Sequence, residues 1–249
     1  MKVITGILKT IFGFYAILVV IATLFIVMPC YFIIFGIFPA SRAPHAAHKI
    51  SRFWAELLFM GFLIRVKVKG KEYIDRNQVY VFVCNHRSQL DIPFFARACY
   101  NTFRFLAKIE VTRIPLIGYV VKRLYLTVDR SSREDRAKSF DRMKDSLQKE
   151  KISVLLYPEG TRNRGNEPLL DFKDGAFKLA IDTQLPIAVL TILNSGDFSP
   201  ANKFLQLRPG IIKGKWSEPI PTKGMTIADI PKLKEEVRNR LLKGLQEKF

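Results

Sequence analysis

The sequence predicts an α/β fold, a mixed, largely parallel sheet flanked by helices, preceded by an apolar helical segment. Two observations carry this. Short β-branched and aromatic runs alternate with helical patterns along residues 65–249, which is how strands and crossover helices of a layered sheet read. Ahead of them, from Thr10 to Ser41, 32 residues pass without a Lys, Arg, Asp or Glu, more than the roughly 20 a helix needs to cross a bilayer.

That charge-free run exceeds the apolar core of a cleaved signal sequence, usually about 7–15 residues. Pro29 falls inside it, and a proline removes an amide donor and is expected to break or kink a helix. A second apolar stretch, Phe53–Ile64, is interrupted only by Glu56. Its twelve residues reach only about 18 Å as a helix, too short to cross. Either the first helix spans the bilayer, or both lie in one leaflet. Residues 1–64 are thus a membrane-embedded motif and 65–249 a single α/β domain.

Within the domain the expected strands are Val66–Val68, Val79–Cys84, Phe103–Ala107, Tyr125–Val128, Ile152–Tyr157, Ile187–Ile192, Phe204–Leu207 and Ile211–Trp216. The expected helices are Ile92–Tyr100, Pro115–Arg123, Arg133–Glu150, Gly175–Thr183 and Ile230–Glu247. No internal repeat and no linker marks a further boundary.

Composition narrows the partners. The 249 residues are 49% apolar, which excludes intrinsic disorder. Forty Lys and Arg against 22 Asp and Glu give a net charge of +18. The first 60 residues carry +4 of it and the remainder +14. A chain this apolar and this basic fits an anionic lipid surface, whereas nucleic acid fits the charge alone. A strongly basic domain reads as cytoplasmic by the positive-inside tendency. Cys30, Cys84 and Cys99 form no CxxC and have no histidine at ligand spacing, so no metal site is expected and the compartment reads as reducing. No cofactor is expected.

Two loops following predicted strands carry candidate chemistry. Asn85-His86-Arg87-Ser88-Gln89-Leu90-Asp91 follows the run YVFVC. Positions five apart on one helix lie about 140° apart, so a helix would separate His86 from Asp91, while a loop entering a helix can turn them together. Asp91 reads equally as a plain helix cap. Tyr157-Pro158-Glu159-Gly160-Thr161-Arg162 follows ISVLLY. Its glycine allows close backbone approach and its arginine suits a phosphate, although Pro-Glu-Gly is also an ordinary turn.

Taken together the loops resemble those of the glycerolipid acyltransferase family. The family's first motif, NHxSxxD, stands complete as NHRSQLD. The third, FPEGTRS, stands as YPEGTRN, departing at Tyr157 and Asn163. The second is similar to AKIEVTRIPLIGYVVKRLYLTVDR (107–130), and the fourth to LPIAVLT (185–191), with Ala188 and Leu190 as departures. The resemblance covers roughly residues 60–220. It implies an N-terminal apolar two-helix membrane hairpin, held in the cell (inner) membrane from its cytoplasmic face as a monotopic anchor.

The resemblance also implies an activity: transfer of an acyl chain from acyl-ACP or acyl-CoA to the sn-2 hydroxyl of lysophosphatidic acid, giving phosphatidic acid. His86 would be the general base, suited to work near neutral pH, and Asp91 would hold its tautomer. Lys108 and Arg162 would anchor the acceptor phosphate, and Glu159, Gly160 and Thr161 would shape the acceptor pocket, with Glu159 near a glycerol hydroxyl. Arg130 is a weaker phosphate candidate. Covalent catalysis through Ser88 is disfavoured, since no GxSxG elbow occurs in the chain. Glycerol-3-phosphate 1-acyltransferase and lysophospholipid acyltransferase activities share these motifs. A membrane-tethered nucleic-acid binder is suggested by charge alone and lacks helix-turn-helix, zinc-finger and RNP patterns, so no nucleic-acid partner is expected.

Overall fold

A computed structural model describes residues 2–203, 205–247 and 249, and the side chains of 2–9 lie outside the description. Seven strands form one sheet: β1 (Ile64–Lys69), β2 (Val81–Cys84), β3 (Phe103–Lys108), β4 (Leu126–Val128), β5 (Ser153–Leu156), β6 (Ile187–Ile192) and β7 (Gly210–Trp216). Their order is β1-β7-β6-β2-β5-β3-β4. Every neighbouring pair is parallel except β6 with β7. The mixed, largely parallel sheet expected from the alternation is therefore what forms.

Parallel strands are covered on both faces, which is why β2 reads VFVC without polar alternation. Val81 and Val83 point to one face and Phe82 and Cys84 to the other, as the two-residue period dictates, and all four are fully buried. The valine face packs under α5 (Arg133–Gln148), α6 (Gly175–Thr183) and α8 (Ile230–Gln246). On the opposite face Phe82, Phe95, Phe103 and Trp216 form an aromatic cluster, with Phe95 lying 4.7–5.6 Å from the other three rings. Phe95 belongs to α3 (Asp91–Ala98). α4 (Ile117–Leu124) and the short α7 (Ser195–Phe198) complete the domain.

Three expectations are corrected. The first helix, α1 (Lys2–Ile37), runs unbroken through Pro29. Pro29 faces outward, while Val27, Met28 and Tyr31 are buried against α2 (Ala43–Gly61) and α4. Side-chain packing holds the helix where one backbone bond is missing. The second helix begins ten residues earlier than the apolar run Phe53–Ile64, and Ile64 already belongs to β1. Residues 43–52 are amphipathic rather than apolar: they bury Ala47, His48 and Ser51 and leave Lys49 outside. Residues 205–207 of the expected strand Phe204–Leu207 are not a strand, and Phe204 lies outside the described residues.

α1 and α2 lie side by side and antiparallel. Tyr31 Oη and Ser51 Oγ are 2.8 Å apart, and Trp54 Nε1 donates to Thr23 Oγ1 at 3.0 Å. α2 is also part of the domain's core. Ala55, Leu58 and Phe59 join the aromatic cluster, and His48 Nε2 donates to the Phe103 carbonyl at 2.7 Å, tying α2 to β3. Residues 10–37 of α1 are the one described stretch long and apolar enough to cross a membrane. Leu18, Phe25 and Ile33 on α1 and Phe53 and Met60 on α2 remain exposed.

α8 approaches β6 through Gly244, where a Cβ would sit 2.5 Å from Thr191 Oγ1 and 2.9 Å from its Cβ. Gly244→Val is expected to overpack this contact at a cost of about 1–3 kcal/mol. Calorimetry of the detergent-solubilised chain should read this as a melting temperature lowered by several degrees.

Candidate active site

β2 and β5 are adjacent and parallel, so the loops that follow them leave the same edge of the sheet. Two segments 73 residues apart in sequence meet there because of that pairing. They are bonded along their length. The His86 amide donates to Glu159 Oε1 at 2.8 Å, and the Asn163 amide donates to the His86 carbonyl at 2.7 Å. Arg87 reaches across to the carbonyls of Gly165 (2.9 Å) and Glu167 (3.3 Å).

The first loop turns directly into α3, whose first residue is Asp91. Its Oδ2 accepts from His86 Nδ1 at 2.7 Å and from the amides of Arg87 and Ser88, both at 2.8 Å. Asp91 is fully buried, whereas the His86 side chain keeps 14% of its surface. Three donors on one oxygen offset part of the desolvation of a buried carboxylate, whose Oδ1 has no hydrogen-bond partner among the described residues. An oxygen that accepts from Nδ1 fixes the proton there and leaves Nε2 with its lone pair. His86 lines the cavity, and its ring stacks on Tyr157 with centroids 4.0 Å apart and planes 19° apart.

The second loop is a tight turn. The Gly160 amide bonds the Tyr157 carbonyl at 2.9 Å, and Gly160 has φ +71°, where a Cβ would be strained. Glu159 is 3% exposed. Its second oxygen accepts from the Leu170 amide at 2.9 Å, so each carboxylate oxygen holds a backbone amide. Burial pushes its carboxyl above the usual glutamate range, opposed by those two bonds and by His86 and Arg87 nearby. Glu159 faces the joint between the loops, not the cavity. Both of its carboxylate oxygens are engaged in this clamp.

A cavity of about 930 Å³ opens over His86. Tyr31, Trp54, Leu58, Val120 and Tyr125 are among its apolar walls. Lys108, Arg130, Arg136, Arg162, Arg164 and Lys173 line it as well, and no Asp or Glu among the described residues does. Lys108 pairs with Glu110 at 2.8 Å, and both are about half exposed. Arg130 donates to the Gly160 carbonyl at 2.9 Å. Arg162 is half-buried and makes no side-chain bond within the described residues. Thr161 is exposed at the mouth. Thus the cavity gathers His86, Lys108, Gly160, Thr161 and Arg162, while Asp91 and Glu159 stand behind its wall.

The profile of the acyltransferase family matches residues 65–193. The chain belongs to the acyltransferase family. It is 32% identical to an uncharacterized acyltransferase of Schizosaccharomyces pombe and 31% identical to the 1-acyl-sn-glycerol-3-phosphate acyltransferase alpha of Homo sapiens. Each match covers 74% of this chain, and 66% and 65% of those relatives' own lengths. In fold it resembles the crystal structure of the 1-acyl-sn-glycerophosphate acyltransferase from Thermotoga maritima. The TM-score is 0.80 at 24% identity, over 100% of this chain and 99% of that one.

Two contributions escaped the sequence. Asn85 Nδ2 donates to the Ile192 carbonyl and its Oδ1 accepts from the Ile192 amide, both at 2.8 Å. The side chain thereby continues the β2–β6 ladder one step beyond Cys84. Tyr157 supplies the face on which the imidazole rests. Its phenol is buried and pushed well above its ordinary pKa by that burial.

Two variants test the framework. Asn85→Ala would leave a buried N–H and C=O of Ile192 unpaired, at about 1–3 kcal/mol; a denaturant midpoint lowered accordingly is expected. Glu159→Gln places an NH2 where a backbone N–H needs an acceptor, so the loops should part and turnover drop at least tenfold. Retained thermal stability with turnover unchanged would remove the clamp from the mechanism.

Proposed function

We propose that the chain transfers an acyl group from acyl-ACP or acyl-CoA to the sn-2 hydroxyl of lysophosphatidic acid, forming phosphatidic acid. The observation that carries this reading is His86, paired with Asp91 behind it, on the wall of a cavity whose interior is apolar and whose charged lining groups among the described residues are all cationic. Such a cavity suits an acyl chain joined to a phosphate.

His86 is the general base. Asp91 keeps the proton on Nδ1 and stabilises the imidazolium that forms during reaction. The acceptor hydroxyl approaches Nε2. As its oxygen bonds the thioester carbonyl carbon, its proton passes to Nε2. The tetrahedral intermediate then collapses with loss of the C–S bond, and the leaving thiolate takes the proton back from the imidazolium. No residue need be acylated: the Ser88 hydroxyl is buried and donates to the Ser199 carbonyl at 2.7 Å. Stacking on Tyr157 keeps the imidazole in one plane through both proton transfers.

Arg162 receives the acceptor phosphate, with Lys108 beside it. The exposed Lys108–Glu110 pair costs little to open. Gly160 and Thr161 shape the mouth, and Glu159 fixes the distance between the two loops. α1 and α2 embed as a hairpin in the cytoplasmic leaflet of the cell membrane, through the apolar faces left exposed on both helices, and the basic surface meets anionic headgroups.

Purified chain assayed with lysophosphatidic acid, glycerol 3-phosphate and a headgroup-bearing lysolipid should favour the first. His86→Ala should lower kcat by about 10²–10⁴, the usual contribution of general-base catalysis, with vesicle binding kept. Near-normal turnover in that variant removes the base. Arg162→Ala should raise the KM for the acceptor by losing a charge-assisted contact worth about 1.5–3 kcal/mol. A change confined to the thioester's KM would make the phosphate assignment wrong.

A further inference from the structure

More cations line the cavity than one acceptor phosphate can use. With Arg162 and Lys108 given to that phosphate and Arg130 holding the Gly160 carbonyl, Arg136, Arg164 and Lys173 are left over. All three are exposed and line the same cavity. Arg164 and Lys173 make no side-chain hydrogen bond or ion pair among the described residues. Among the described residues Arg136 bonds only the Arg130 carbonyl and has no ion-pair partner. These residues come from three places: α5 (Arg136), the loop after β5 (Arg164) and the stretch leading to α6 (Lys173). The Lys173 stem lies against the Gly160 turn, its Cγ 3.6 Å from where a Cβ of residue 160 would stand. Like charges around one cavity that no described carboxylate lines repel one another, and an anion relieves this.

We infer that Arg136, Arg164 and Lys173 form a second anion subsite, which takes the phosphate of the phosphopantetheine arm of the acyl donor. The inference rests on the acyl-transfer reading and deepens it. A thioester donor presents its acyl chain and its anionic arm on opposite sides of the sulfur. With the carbonyl at His86 and the chain in the apolar interior, the arm must leave through the mouth, where these three cations stand. Coenzyme A and acyl carrier protein share that arm and its phosphate, so the subsite serves both.

The test compares full-length wild type with Arg164→Gln/Lys173→Gln and, separately, Arg136→Gln. Donors are an acyl-CoA, the matching acyl-ACP, and the same acyl chain on N-acetylcysteamine, a thioester without phosphate. The ratio of kcat/KM for either phosphate-bearing donor over the phosphate-free one is expected to fall about tenfold or more in the double variant. The acceptor KM should stay within twofold. A raised acceptor KM with an unchanged donor ratio would overturn the inference and give the cations to the acceptor. An unchanged ratio would make them a solvated rim. A fall with acyl-CoA alone would place the contact on the nucleotide and overturn the shared-phosphate assignment. Calorimetric binding of free coenzyme A needs no turnover. Weaker binding in the double variant, beside a wild type that transfers no acyl group, would leave the subsite standing while the acyl-transfer reading fails.

Discussion

The parallel pairing of β2 with β5 is the constraint on which the site depends. It sets two chain segments leaving the sheet in the same direction at the spacing of neighbouring strands. Glu159 then closes the gap: one oxygen takes the His86 amide, the other the Leu170 amide. With the loop backbone so fixed, Asp91 at the start of α3 turns back onto His86 and collects two further amides from the same loop. Asp91 and Glu159 are held by backbone groups, and the imidazole is held in turn by Asp91 and by the Tyr157 ring.

The helix pair has two unlike faces. Its inner faces complete the aromatic core beside Phe82 and Trp216 and supply cavity walls through Tyr31, Trp54 and Leu58. Its outer faces are apolar and exposed. An exposed apolar surface of this extent marks an interaction site, and here the same two helices that present it also wall the cavity over His86.

Charge is sorted just as clearly. The carboxylates nearest the chemistry, Asp91 and Glu159, are buried behind the cavity wall and turned to backbone donors. The cations face the opening. Negative charge therefore organises the loops while positive charge lines the cavity. An excess of 18 positive charges over the whole chain would not by itself have shown that division.

The sequence alone determined seven strands and five helices after residue 64, because strand and helix periods are local properties, but it added a strand at Phe204–Leu207 and missed α7. It allowed the His86–Asp91 relation, because a loop entering a helix can turn the pair together, but left the plain helix cap open until the bond was seen. Pro29 misled because its penalty is local while the packing of Val27, Met28 and Tyr31 is not. The start of α2 was hidden because an amphipathic turn shows no apolar run. The roles of Glu159, Asn85 and Tyr157 needed the tertiary structure. Each acts on a residue 71 to 107 positions away, and only the sheet order, which places β2 between β5 and β6, brings those partners within bonding distance.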